Sequence, residues 1–184
     1  MKKLLTTLLF FSSSVVFADV SGWYLGGGLA YATQSAGYGE NTYDSQAPAI
    51  RLQAGYQFAD WIDAELGWNY VMQSPTGISS DNQSSTIYDF AILPGFTIPS
   101  TPLTVFVRLG IDAMSANMNN SWYNQLASNS RINFEYGAGV KWQIPDTHTM
   151  IRGQYISYGS DINNGNSNID TSANAVLIDA AYIF

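Results

Sequence analysis

The segment Ile50–Met72, IRLQAGYQFADWIDAELGWNYVM, reads as two β-strands joined by a very short turn at Ala59-Asp60. Every second residue is apolar or aromatic: Ile50, Leu52, Ala54, Tyr56 and Phe58, then Ile62, Ala64, Leu66, Trp68, Tyr70 and Met72. The other parity holds Arg51, Gln53, Gly55 and Gln57, then Asp63, Glu65, Gly67 and Asn69. A period of two is the signature of a β-hairpin, and each arm has about the ~9–11 residues with which a tilted strand crosses a bilayer.

Alternation alone leaves the faces unassigned, because a soluble barrel is apolar inside and a membrane barrel apolar outside. Three features favour the membrane. The charged parity also holds the glycines, which suits a cramped lumen; Trp and Tyr gather near the strand ends of the apolar parity; and the chain starts with an export signal. Lys2 and Lys3 are followed by the mostly apolar run Leu4 to Val16 and by Val16-Phe17-Ala18, the layout of a signal peptide cleaved after Ala18. The reading is a signal peptide over 1–18 and one barrel domain over 19–184.

Only 11% of residues are charged while 14% are aromatic, thin solvation for a soluble surface and ordinary for a lipid-facing one. The formal charge is −7, and −9 without Lys2 and Lys3, which argues against nucleic-acid binding. With no cysteine there is neither a disulfide framework nor a thiolate metal site.

The period-two pattern recurs along the chain. Strands are expected over 22–33, 50–58, 62–72, 85–98, 103–114, 130–144, 148–159 and 172–184, with Pro94 marking a bulge. Polar loops at 34–46, 73–84, 115–129 and 160–171 alternate with short turns, at Ala59-Asp60, Pro99–Pro102 and Pro145–Thr147. The glycines 26–28 lack the helix and the Lys-Ser/Thr pair of a phosphate loop. The result is an all-β fold, an eight-stranded antiparallel up-and-down transmembrane barrel, with long loops outside the cell and tight turns in the periplasm. Its expected place is the outer membrane of a Gram-negative bacterium, in contact with outer-membrane lipid and lipopolysaccharide. Trp23, Phe58, Phe96, Trp142, Tyr182 and Phe184 then form a lower aromatic girdle, and Tyr31, Tyr70, Tyr88 and Tyr155 an upper one.

The mature chain's five basic residues, Arg51, Arg108, Arg131, Lys141 and Arg152, all fall on the inward parity. So do Asp63, Glu65, Asp89, Asp112, Glu135 and Asp179. A lipid-facing Arg or Lys costs roughly 2–4 kcal/mol at mid-membrane, and a lumen too narrow for water forces these groups into paired networks. The loops carry Glu40, Asp44, Asp81, Asp161 and Asp170 without calcium-loop spacing, so no metal site and no cofactor is expected.

AGYQFADWIDAELGWNY (54–70) resembles the second-to-third-strand hairpin of the OmpA transmembrane domain, and AVLIDAAYIF (175–184) resembles the closing strand of an outer-membrane barrel. The resemblance implies that Phe184 is the signal read by the barrel assembly machinery. It also implies a lumenal salt-bridge gate at Glu65, Arg108, Glu135 and Arg152, with Arg on strand five where the family often has Lys. Cell-wall anchoring is not implied, since no peptidoglycan-binding domain follows Phe184.

Three functions compete. The first is a barrel with a plugged, charge-paired lumen, structural or weakly ion-conducting. The second is an adhesin or receptor whose loops meet a host or phage ligand, with Trp122 and Tyr123 as contact residues. The third, a lipid A-modifying enzyme, is disfavoured because the sole His, His148, follows a periplasmic turn; the expectation is no enzyme and no catalytic residue. The topology predicts that a cysteine in any of the four long loops is labelled on intact cells by an impermeant reagent. A cysteine at Asp60 or Asp146 should stay unlabelled, and its labelling would reverse the orientation.

Overall fold

The computed structural model describes residues 21–38, 41–75, 82–119, 132–163 and 168–184; the signal segment, Arg131, Trp122 and Tyr123 lie outside them. Eight strands follow one another: β1 Gly22–Tyr38, β2 Asn41–Ala59, β3 Ile62–Pro75, β4 Asn82–Thr97, β5 Leu103–Asn119, β6 Ile132–Gln143, β7 Thr149–Asn163 and β8 Asn168–Ile183. Each pairs antiparallel with the next and β8 closes on β1, giving an all-β barrel with no edge in the membrane. Following the registered partners from Tyr24 through Gly55, Glu65, Ala91, Gly110, Glu135, Tyr158 and Ala173 returns to β1 at Gln34, ten residues beyond the start. That stagger fixes the tilt near the ~35–45° usual for such barrels.

Burial alternates as the hydrophobic pattern requires, but inverted relative to a soluble protein. Leu29 is 72% exposed and Ile178 67%, whereas Glu65 is 1% and Arg108 0% exposed. Water on both faces would make this unstable; hydrocarbon on the outside makes it the low-energy arrangement. The lower girdle packs edge to face, with Trp23 on Tyr56, Tyr56 on Phe58 and Tyr182 on Phe184 at 5.0–5.3 Å between ring centres. At the upper rim the Tyr31 hydroxyl donates to Gln46 (3.0 Å) and Tyr155 to Asn174 (2.8 Å), so outward amides begin where the hydrocarbon ends.

Strand lengths depart from the sequence reading. The expected loops 34–46, 73–84, 115–129 and 160–171 are in part strand, because the ladders continue above the upper girdle to Tyr38↔Asn41, Pro75↔Asn82 and Asn163↔Asn168. Polar residues out there carry no lipid-facing alternation, but their backbones still pair. The first turn is Asp60-Trp61 rather than Ala59-Asp60, with a register shift between Gln57 and Ala59. Pro94 interrupts the β4–β5 ladder between Ile92 and Gly95 without a bulge, and the Gly95 amide donates instead to Trp61 O at 2.6 Å. The other two turns share one design. Ile98-Pro99-Ser100-Thr101 and Ile144-Pro145-Asp146-Thr147 each place Pro second and a positive φ third, 64° at Ser100 and 59° at Asp146. The Thr amide and hydroxyl then both return to the Ile carbonyl.

Three layers fill the lumen. Tyr24, Met150, Ala181 and Ile183, with Leu93 and Phe106, lie towards the turns; a belt of charged groups is next; and Ala32, Ala47, Ala49, Val71, Ile87, Met114, Ala173 and Ala175 form a collar above it. Inward glycines make room for the belt. A methyl at Gly67 would overlap the Arg51 guanidinium and both Asp89 oxygens, whereas one on outward-facing Gly153 would meet nothing within 4 Å. Gly67→Ala is therefore expected to destabilise the barrel by roughly 1–3 kcal/mol and Gly153→Ala to be near neutral. Urea unfolding in lipid vesicles checks this, and equal effects would contradict the assigned lumen packing.

Candidate functional site

The belt is built by all eight strands. At its centre is a closed ring of four side chains in which two guanidiniums alternate with two carboxylates. Arg51 on β2 donates through Nη1 and Nη2 to both oxygens of Asp89 (2.7 and 2.8 Å) and through Nη2 to Glu65 (2.9 Å). Arg108 on β5 donates through Nη1 to Glu65 Oε1 at 2.7 Å and through Nη2 to Asp89 Oδ1, completing the ring. It also reaches Glu135 on β6 from Nε (2.9 Å). Arg152 on β7 lies 2.7 Å from the second Glu65 oxygen and donates from Nε to Asp179 on β8 at 2.8 Å.

Neutral groups take up part of the remaining hydrogen-bonding capacity. Tyr24 on β1 donates its hydroxyl to Glu65 Oε2 (2.8 Å) and sets its ring 5.7 Å from the Arg152 guanidinium carbon. Asn69 donates to Asp89 and accepts from Arg51. Gln53 and Gln154 both donate to Asp179, at 2.6 and 2.8 Å. Lower in the lumen Lys141 forms a separate pair with Asp63 (3.1 Å).

The structure thus brings Glu65, Arg108, Glu135 and Arg152 together, at the similar depth that their places on the strands suggest. Glu65 contacts Arg108 and Arg152 at once, and Arg51 as well. Arg51 and Asp89 are as central as the four residues singled out by resemblance, and Asp179 joins the same network; Asp63 and Lys141 form the separate pair. Asp112 is buried at the belt's upper margin, with Asp89 and Asn133 as its cross-strand partners. Tyr24, Gln53, Asn69 and Gln154 were not singled out from sequence, although their inward parity was legible; a polar residue on the glycine-bearing parity is the signal that would have found them. Phe184 lies 71% exposed in the lower girdle, its amide donating to Trp23 O at 2.8 Å. His148 stands exposed at the turn before β7, its ring 5.8 Å from that of Tyr182.

Chemically the belt is a set of charges that solvate one another. The ring residues are buried among one another at 0% side-chain exposure. Charges so far from water are stabilised only by such mutual coordination, and losing one partner strands the others. Among the described residues no cluster of three or more His, Cys, Asp or Glu is arranged to hold a metal ion.

The outer membrane protein beta-barrel domain family matches residues 4–184. No curated protein matches the chain. Among solved structures, it is similar to Neisserial surface protein A (TM-score 0.66, 13% identity, 89% of this chain and 98% of that one). It is also similar to the outer membrane protein OprG of Pseudomonas aeruginosa (0.59, 11% identity, 90% and 97%). A third is Ail, the attachment invasion locus protein of Yersinia pestis (0.56, 17% identity, 89% and 99%). At these identities the neighbours speak for the fold, which is the same closed barrel. The chain belongs to the outer membrane protein beta-barrel domain family and is an eight-stranded barrel of the Gram-negative outer membrane.

Proposed function

We propose that this barrel, exported by a signal peptide cleaved after Ala18, is a closed structural protein of the outer membrane whose lumen is plugged by the ionic belt. The observation that carries the reading is the ring Arg51–Asp89–Arg108–Glu65. A gate in which Glu65 alternates between basic partners needs it to hold one at a time, yet Glu65 holds Arg51, Arg108, Arg152 and Tyr24 together. The alanine-rich collar above and the Leu93, Phe106 and Ile183 layer below add apolar barriers that ions cross poorly. A resting conductance near zero follows.

A second reading, adhesion through the extracellular hairpins, draws on one specific observation. Among the described residues the β2–β3 ladder stops at Ala49↔Val71 while β2 stays paired to β1 up to Asn41, so Ser45–Pro48 have no ladder to β3 on that side, and such edges accept added strands. Ail, a structural neighbour, is named for attachment and invasion and has been crystallised with a heparin analogue. The sequence of the four long hairpins carries Glu40, Asp44, Asp81, Asp161 and Asp170, a composition unsuited to a polyanion. Replacing the hairpin tips by inert loops and measuring binding of cells to host cells would reveal adhesion as a loss; unchanged binding would remove this reading.

Glu65→Ala tests the plug. It strands three guanidiniums, so unfolding stability is expected to fall by about 3–5 kcal/mol, and planar-bilayer conductance to rise above the near-zero level of the unmodified protein. Well-resolved channel openings in the unmodified protein would contradict the closed plug and restore the gate.

A further inference from the structure

The belt holds more acid than base. Asp63, Glu65, Asp89, Asp112, Glu135 and Asp179 share the lumen with Arg51, Arg108, Lys141 and Arg152. Counting Arg131 as well, which has the inward parity but lies outside the described residues, carboxyls still outnumber cations by six to five. An uncompensated carboxylate shut away from water is costly enough that such a group neutralises instead. One carboxyl of the belt must therefore hold a proton or a cation.

Coordination leaves two candidates, Asp112 at the upper margin and Glu135 within the belt, and depth favours Glu135. Glu65 meets three guanidiniums and the Tyr24 hydroxyl. Asp89 meets two guanidiniums and Asn69. Asp179 receives Arg152, Gln53 and Gln154, and Asp63 has both oxygens on Lys141. Asp112 has neither oxygen in a hydrogen bond of good geometry; its neighbours are Asn133 and the Gly159 backbone, at the belt's upper margin beneath the collar. Glu135 is 0% exposed, yet only Oε1 is engaged, by Arg108 Nε, and Oε2 has no partner. The groups facing it are Arg108 from β5, Tyr158 from β7, Arg51 from β2 and a like charge, Asp89 from β4, with Asp112 two ladder positions further up β5. Arg108 is the cation in contact with it, and Arg108 is already shared with Glu65 and Asp89.

We propose that Glu135 carries the lumen's excess proton at neutral pH. Its carbonyl oxygen accepts from Arg108 and its other oxygen bears the hydrogen, so the belt contains a proton-binding site and not only ion pairs. The inference rests on the burial of Glu135 and its unpartnered oxygen and not on whether ions cross the lumen: a conducting barrel would overturn the plug and leave this protonation test unchanged.

Infrared spectroscopy of the barrel refolded in lipid vesicles at neutral pH reads the proton directly. A protonated-carboxyl carbonyl band is expected in the unmodified protein and in Asp112→Asn, and is expected to vanish in Glu135→Gln. Absence of the band from the unmodified protein, or its loss in Asp112→Asn with retention in Glu135→Gln, would overturn the assignment. The pH dependence of unfolding gives a second readout. The folded state holds a proton that the unfolded chain has released at neutral pH, so raising pH until the folded state also releases it should lower stability. The extra slope is one proton, about tenfold in the unfolding constant per pH unit, and it should disappear in Glu135→Gln. Because that substitution replaces a neutral acid by a neutral amide of similar shape, a variant that fails to fold would count against the proposal.

Discussion

Hydrocarbon offers no hydrogen bond, and everything in this barrel follows from that. The outer face must be apolar and the backbone must pair with itself all the way round, so every charge the membrane segment carries is driven into a lumen only eight strands wide. There the charges cannot be hydrated and must solvate each other. The ring of Arg51, Asp89, Arg108 and Glu65 is the form this takes. Each guanidinium has five donors in a planar fork, so two of them can close a cycle around two carboxylates and still reach Glu135 and Gln53. Lysine, with its point charge, could not bridge in this way, which gives a physical reason for Arg at position 108.

Wall and filling are matched to one another. Gly55 leaves space for the Tyr24 ring, Gly67 for the Arg51–Asp89 contact, and Gly110 for Glu135. These glycines therefore sit opposite the largest interior groups and not where the backbone turns; the positive φ angles fall on Ser100 and Asp146 in two of the short turns. The belt is a packed core whose cement is electrostatic, with an apolar layer on either side of it.

The barrel class, the strand order and the in-or-out assignment of the belt residues were all legible in the sequence, because lipid on one side enforces a strict period of two. Partnership was not. Which inward residues meet depends on the stagger of the closed sheet, and nothing local encodes the ten-residue offset that sets Arg51 beside Asp89 and carries Glu65 to Arg152 across the lumen. Resemblance supplied four of the belt's members and understated the role of Arg51 and Asp89. The upper strand ends were missed for the opposite reason: above the membrane the alternation lapses while backbone pairing continues, so 34–38 and 41–46 looked like loop.

The central claim is that the belt acts as one coupled unit. A double-mutant cycle on Asp89→Asn and Arg108→Gln, read by reversible unfolding in lipid vesicles, tests it most directly. The account predicts a coupling free energy of at least about 1.5 kcal/mol between the two positions; additivity to within about 0.3–0.5 kcal/mol would mean that they act independently and would contradict the ring.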